Sequence, residues 1–399
     1  MKQFIKKHLS HYKKIAVAFY CLMQAVCSYA QQDIPVFVSG TEGYESYRIP
    51  ALIALPDGTL LAFSEGRKHG AADFGDIDIV LKKSMDKGKT WSASQLVVNY
   101  DSLQAGNPAP VIDLTDPTYP KGRIFLFYNT GDNHEGEVRK GNGLREVWYI
   151  TSADGGQSWS PAVNITTQVH KPNQPQKNPA YHYGEDWRSY ANTPGHAMQF
   201  EWGKYMGRIF VSANHSAGNP QQAFTDYKAH GYYTDDHGKT FHLSEDVPFD
   251  GGNEAMAAQL SDDQLMMNIR NQQGNVKERI IAISSNGGST WDTTYYDANL
   301  PDPVCQGSIL SFKNKNGKTI LAVCNDADTS KRDSLTLRLS KDDGKSWYMN
   351  ITIAKSPNGY KGDSFSAYSD IARIDDKTIG ILFEKDNYKT IVFTTVKWQ

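Results

Sequence analysis

Short apolar runs broken by turn residues, rather than long amphipathic periods, make up most of this chain. Runs at 51–55, 59–63, 77–82, 123–128, 147–151, 208–213, 264–269, 279–284, 320–324, 335–340 and 378–383 are β-branched, aromatic or aliphatic and bounded by turn formers. Long helical periodicity is absent, so the pattern predicts an all-β protein. Several runs form one phrase: strand, tight turn, strand, then a third strand. The stretch Leu55-Pro56-Asp57-Gly58-Thr59-Leu60 is one such hairpin turn.

The third strand of the phrase runs into a motif, S/T-x-D/N-x-G-x-S/T-W/F, that occurs five times, at 84–91, 152–159, 234–241, 284–291 and 340–347. Asp86, Asp154, Asp236, Asn286 and Asp342 supply an acceptor for nearby backbone N–H groups. A glycine two residues later supplies positive φ, and the closing Trp or Phe offers an apolar plug between sheets. Intervals of 68, 82, 50 and 56 residues mean one supersecondary unit with variable insertions. Such a unit buries its apolar face only against a neighbour, which predicts a solenoid or propeller. Five repeats and a closing unit predict six blades of about 60 residues each. The sixth would join an N-terminal strand at 36–39 to C-terminal strands at 378–383 and 390–395, hiding the sheet edges. These repeats read as structural staples.

The first 30 residues read as a leader outside this pattern. Lys2, Lys6, Lys7, Lys13 and Lys14 precede the apolar run 15–26, and Ser28-Tyr29-Ala30 resembles a signal-peptidase site. Cleavage after Ala30 would leave 31–399 as a single propeller domain, exported to a periplasm or beyond the cell. A lipoprotein acylated at Cys27 is the alternative. No later apolar run reaches membrane length. With 42 basic and 44 acidic side chains there is no basic field, which disfavours nucleic acid as a partner. Cys305 and Cys324 allow either a disulfide or two buried thiols, and no C-x-x-C or histidine spacing suggests zinc. The segment 170–194, rich in Pro, Asn, Gln, Tyr and His, reads as a long surface loop near a site.

The non-repeated polar residues point to chemistry. Ser46-Tyr47-Arg48-Ile49-Pro50 resembles the Phe/Tyr-Arg-Ile-Pro signature of exo-α-sialidases (neuraminidases), and the five repeats resemble that family's Asp boxes. The likeness covers essentially all of the chain after the leader, and it implies a six-bladed sialidase propeller. It assigns Arg48, Arg270 and Arg332 to a carboxylate-binding triad, with Arg338 close behind as a rival for the third place. Guanidinium groups suit that task because they give planar, charge-assisted bonds and stay protonated. Glu384 matches the glutamate that orients the first arginine.

The resemblance also assigns Tyr368 as nucleophile and Glu254 as its base. A neutral hydroxyl suits a substrate whose anomeric carbon already bears a carboxylate, since an anionic nucleophile would be repelled. Asp73, on the loop 65–76, matches the acid/base, with Asp76 and Asp78 as neighbours of the same type. Arg67 is expected beside the sugar's 4-hydroxyl, where it would steer Asp73, and Asn107 lies in a stretch that resembles a pocket segment. The implied reaction is retaining hydrolysis of terminal α-linked sialic acid on glycoproteins, glycolipids or oligosaccharides, by a monomer without metal or organic cofactor. Two alternatives use the same residues: a trans-sialidase, inter- or intramolecular, and a non-catalytic sialic-acid-binding propeller.

Overall fold

Strands with apolar side chains on both faces must be covered on both sides, and the sheets here stack face to face to do so. A computed structural model describes residues 33–398; the expected leader, its cleavage site and Cys27 lie outside the described residues. The fold is all-β with the sheets in a propeller arrangement. One sheet runs in the order Ile34–Val38, Thr390–Lys397, Thr378–Lys385, Ser366–Asp375, so the expected union of N- and C-terminal strands is present. Two four-stranded sheets span Gly252–Gln259 to Thr293–Pro301 and Ser308–Lys313 to Met349–Ala354. A five-stranded sheet centres on Ile209–Ala217 and Tyr227–Thr234. The last sheet has eight strands, from Ser46–Ala54 to Val163–Asn164. The hydrogen-bonded count is therefore five sheets rather than six separate four-stranded ones. The cause is local: Ile77 pairs in parallel with Gln104 and joins two otherwise antiparallel meanders.

Buried clusters lie between neighbouring sheets. One packs Ile320, Leu337 and Leu339 against Ile371, Ile381 and Phe383; another packs Phe125 and Phe127 against Val211 and Tyr232. Each such side chain contributes roughly 1.5–3 kcal/mol when fully buried.

The five repeated motifs share one hydrogen-bond pattern, reversed at one bond in the fourth, where Asn286 Nδ2 donates to the Thr290 hydroxyl. The Ser84 hydroxyl donates to Asp86 Oδ1 (2.8 Å) and accepts the Gly88 N–H (2.8 Å), while Asp86 takes the N–H (2.9 Å) and hydroxyl (2.6 Å) of Thr90. Gly156, Gly238, Gly288 and Gly344 repeat the glycine bond at 2.8, 2.9, 2.9 and 2.9 Å. The Thr90 hydroxyl and N–H bonds bring the Asp86 carboxyl down to about 2, and Ser346 leads the same effect on Asp342. The aromatic residue then reaches the preceding unit. Trp91 meets Phe393 at 5.4 Å, Trp159 meets Phe63 at 6.1 Å, Phe241 meets Phe127 at 5.8 Å and Trp291 meets Phe210 at 6.5 Å.

Gly88 resists substitution for two reasons: its φ is +87°, and a side chain there would bring its Cβ within 2.0 Å of Phe393 Cε1. Gly58 has the same φ, +87°, with nothing within 4 Å. Gly88→Ala should therefore lower stability by about 2–4 kcal/mol and Gly58→Ala by only about 1–2, both with unchanged turnover. Equal losses in denaturant unfolding would show that the ring contact contributes nothing.

The innermost strands position the site. Ser46–Ala54, Gln104–Asp113, Gly252–Gln259 and Ser366–Asp375 each carry a register shift near their start, at 48–51, 106–109, 252–255 and 366–369. Bulges re-aim side chains, and these hold Arg48, Asn107, Glu254 and Tyr368. The later halves of the same strands, with Leu310 from Ser308–Lys313, line a cavity of about 260 Å³ that includes Leu52, Val111, Ala258 and Ile371. Site residues of these innermost strands thus gather at their starts, while Arg67, Arg270 and Glu384 lie at the ends of strands that pair antiparallel with them. The repeated motifs follow strands that run the opposite way to their hairpin partners and end at the other face. The segment 170–194 is only partly a loop: Trp187–Asn192 is a strand paired with Ile209–Ala217, and its polar residues and a register shift between Trp187 and Tyr190 mask the period of two. Cys305 and Cys324 are both buried free thiols.

Candidate active site

A buried ion pair anchors the site. The Arg48 Nε donates to Glu384 Oε1 (2.7 Å), which also accepts the Ile49 N–H (2.9 Å). Ile49 holds φ of +60°, a rare conformation for a β-branched residue, so Glu384 sets both the arginine and the bulge that presents it. Both charged side chains are buried, and removing Glu384 would leave Arg48 uncompensated.

Tyr368 lies among three guanidinium groups. Its hydroxyl donates to Glu254 Oε1 and accepts from Arg270 Nη1 (2.9 Å), and Arg270 Nη1 also donates to Glu254 Oε2 (2.6 Å). Arg48 and Arg332 approach the same ring, with Cζ at 5.4 and 5.6 Å from its centroid. Burial and then the Glu254 charge push the Tyr368 hydroxyl well above its ordinary value; Arg270 and Arg332 oppose that shift without overcoming it. The hydroxyl is therefore neutral and already bonded to a carboxylate.

Arg332, not Arg338, is the third arginine of the cluster. Arg338 is buried elsewhere, donating to Asn325 Oδ1 (2.8 Å). Arg332 donates to Val304 O (3.1 Å) and to the Tyr388 hydroxyl (3.2 Å). Tyr388 also stacks on Arg48, whose Cζ is 3.9 Å from the ring centroid.

The acidic loop contributes Asp73. Its Oδ1 accepts from Arg67 Nη1 (2.7 Å) and lies 3.9 Å from Arg48 Nη1, while its side chain is 79% exposed at the open side of the site. Crowding by protein on its inner side would raise this carboxyl, but Arg67 and Arg48 outweigh that and hold it below its usual range. Asp76 and Asp78 are occupied otherwise: both pair with Lys68, and Asp78 also accepts from Tyr44 and Asn99. Arg67 is fixed from behind by Glu65, through Nε (3.0 Å) and Nη2 (2.6 Å). Glu65 Oε1 in turn accepts the Asn107 N–H (2.9 Å), and Asn107 Nδ2 donates to Asn192 O (3.3 Å).

All nine predicted residues thus fall in one connected network. Sequence reasoning missed Glu65 and Tyr388. Glu65 could have been found as the acidic residue two before Arg67 on a strand, on the same face; nothing local marks Tyr388. Two groups among the described residues bring three metal-type donors together, His215 with His230 and Asp246, and Asp113 with Asp116 and His237. Neither includes a residue of the arginine and tyrosine cluster. In the second, Asp113 already accepts from Thr115, Asp116, Gln199 and His237.

The model of the BNR repeat-like domain matches residues 58–381. A sialidase of Micromonospora viridifaciens is 31% identical over 372 residues, covering 89% of this chain and 52% of that protein. The chain thus spans about half the length of that relative. An exo-alpha-sialidase of Arthroderma benhamiae is 28% identical, covering 90% of this chain and 83% of that protein. Among solved structures, the Hadza microbial sialidase Hz136 superposes with a TM-score of 0.74 at 23% identity, over 92% of this chain and 68% of that one. An intramolecular trans-sialidase from Ruminococcus gnavus gives 0.70 at 16% identity, over 92% and 97%. At such identities the superpositions carry the propeller fold alone.

Proposed function

The chain belongs to the BNR repeat-like domain family, and from that premise and its similarity to sialidases we propose that it is an exo-α-sialidase, a retaining glycoside hydrolase acting on terminal α-linked sialic acids of glycoconjugates. The observation that carries this reading is Tyr368, neutral, bonded to Glu254 and flanked by Arg48, Arg270 and Arg332. The three guanidiniums would bind the sugar's carboxylate. Tyr368 would attack the anomeric carbon as Glu254 takes its proton, and Asp73 would protonate the departing oxygen. Water activated by Asp73 would then cleave the tyrosyl–sugar bond, so that two inversions give net retention.

We also read the eight-stranded sheet as two blades joined at one edge by the Ile77–Gln104 pair, which makes the propeller six-bladed. Export as a monomer to a periplasm or beyond the cell is part of the same proposal. So is its partner set of sialylated glycoproteins, glycolipids and oligosaccharides.

Time-resolved NMR with α-2,3-sialyllactose tests the reaction. Free sialic acid released first as the α-anomer is the expected product. An anhydro-sugar or a transferred sialic acid would replace hydrolysis by the transferase alternative, and binding without turnover would replace it by the lectin alternative.

A further inference from the structure

Tyr388 sits where two of the three arginines need a common support. Like charges brought together repel one another, and each loses hydration. The Tyr388 ring lies 3.9 Å from Arg48 Cζ, while its hydroxyl accepts from Arg332 Nη1 at 3.2 Å. One side chain thus engages both cations, by its π face and by its oxygen.

The backbone that presents it is strained. Asp386, Asn387 and Tyr388 have φ of +52°, +53° and +66°, three consecutive non-glycine residues in the left-handed region. That region is disfavoured for residues with a side chain, so the surrounding structure must hold the turn there. The run is held by a chain of backbone bonds. The Asp386 N–H donates to Phe365 O (2.9 Å), the Asn387 N–H to Ser364 O (2.7 Å) and the Phe365 N–H to Arg332 O (3.0 Å). The Ser39 hydroxyl fixes Tyr388 O from the other side, at 2.8 Å. The strained turn is therefore tied directly to the Arg332 backbone and to the residues that lead into Tyr368.

We propose that Tyr388 is a specificity-determining positioning residue, holding Arg48 and Arg332 in the spacing that recognises a carboxylate on the sugar. This rests on the sialidase reading of the site. Tyr388 does not contact the reacting atoms in this scheme; it acts through the two arginines. Its loss should weaken recognition of the substrate's carboxylate far more than it slows the chemistry.

The experiment uses the full chain and the variants Tyr388→Phe and Tyr388→Leu. KM and kcat are measured on α-2,3-sialyllactose, with inhibition constants for a planar didehydro-sialic acid and for its methyl ester. Tyr388→Leu should raise KM and the inhibition constant of the acid about tenfold, with kcat within about threefold. The ester should bind as before, so the preference for acid over ester falls by the same factor. Tyr388→Phe, which keeps the ring, should show the effect at about threefold. If the leucine variant does not fold by circular dichroism, the phenylalanine variant decides alone. An unchanged acid-over-ester preference in the folded variants overturns the role given to Tyr388. A wild-type protein that binds neither probe overturns the sialidase reading and this proposal with it.

Discussion

Tyr368→Phe should abolish normal turnover, lowering kcat on sialyllactose at least about 1,000-fold, and should leave the thermal transition close to wild type. The loss is large because nothing else in the cluster can form the covalent bond. Glu254 is an anion facing a carbon that bears an anion, and the arginines are cations. The fold survives because deleting one oxygen leaves Arg270 bonded to Glu254 at 2.6 Å, so no buried charge is stranded. The ring itself still packs with Ile49, Cys305 and Ala367. Steady-state kinetics with melting curves checks both halves. A rate within about tenfold of wild type would remove Tyr368 from the role of nucleophile.

The second large effect belongs to Asp73. Asp73→Asn should cost about 10²–10⁴-fold on sialyllactose and less than about tenfold on an aryl sialoside whose phenol leaves unaided. Equal losses on both substrates would show that Asp73 is not the acid. The pH dependence follows from its surroundings. In the free protein Arg67 and Arg48 hold the Asp73 carboxyl low, so the proton it must donate is lost early as pH rises. A substrate carboxylate on Arg48 would neutralise part of that field and let the carboxyl rise. The alkaline limb of kcat/KM, which reports the free enzyme, should thus fall at lower pH than the limb of kcat. Coincident limbs would mean that a substrate carboxylate leaves the field of the arginines at Asp73 unchanged.

How much of this was legible in the chain differs between its parts. The repeated motif was, because all its bonds span four residues or fewer and aromatic spacing is fixed by the turn. Arg48 was, because its motif is local. Most inner strands were not. Runs such as Gly252–Gln259 and Gln104–Asp113 are built of Gly, Asn, Pro, Ala and Met, since they crowd the axis and bulge where they meet the site. The choice of Asp73 over Asp76 and Asp78 needed the lysine and tyrosine that occupy the other two. The sheet count depended on a single parallel pair between residues 77 and 104, which no local pattern encodes. Tyr388 escaped because a left-handed turn without glycine looks like any polar strand end.

The pairing of Ile34–Val38 with Thr390–Lys397 sets an order of events for synthesis. The strand made first acquires its partner only after more than 350 further residues have left the ribosome, such as Phe393 beside Ile34. Until then the molecule is an open arc with two exposed edges, and joining them closes a loop of nearly the whole chain. Arg48, from the opening strands, and Glu384, from the closing ones, meet across the same seam of the ring. A chain stopped before Thr390 should therefore lack the strand that pairs with Ile34–Val38, and with it this closure of the ring.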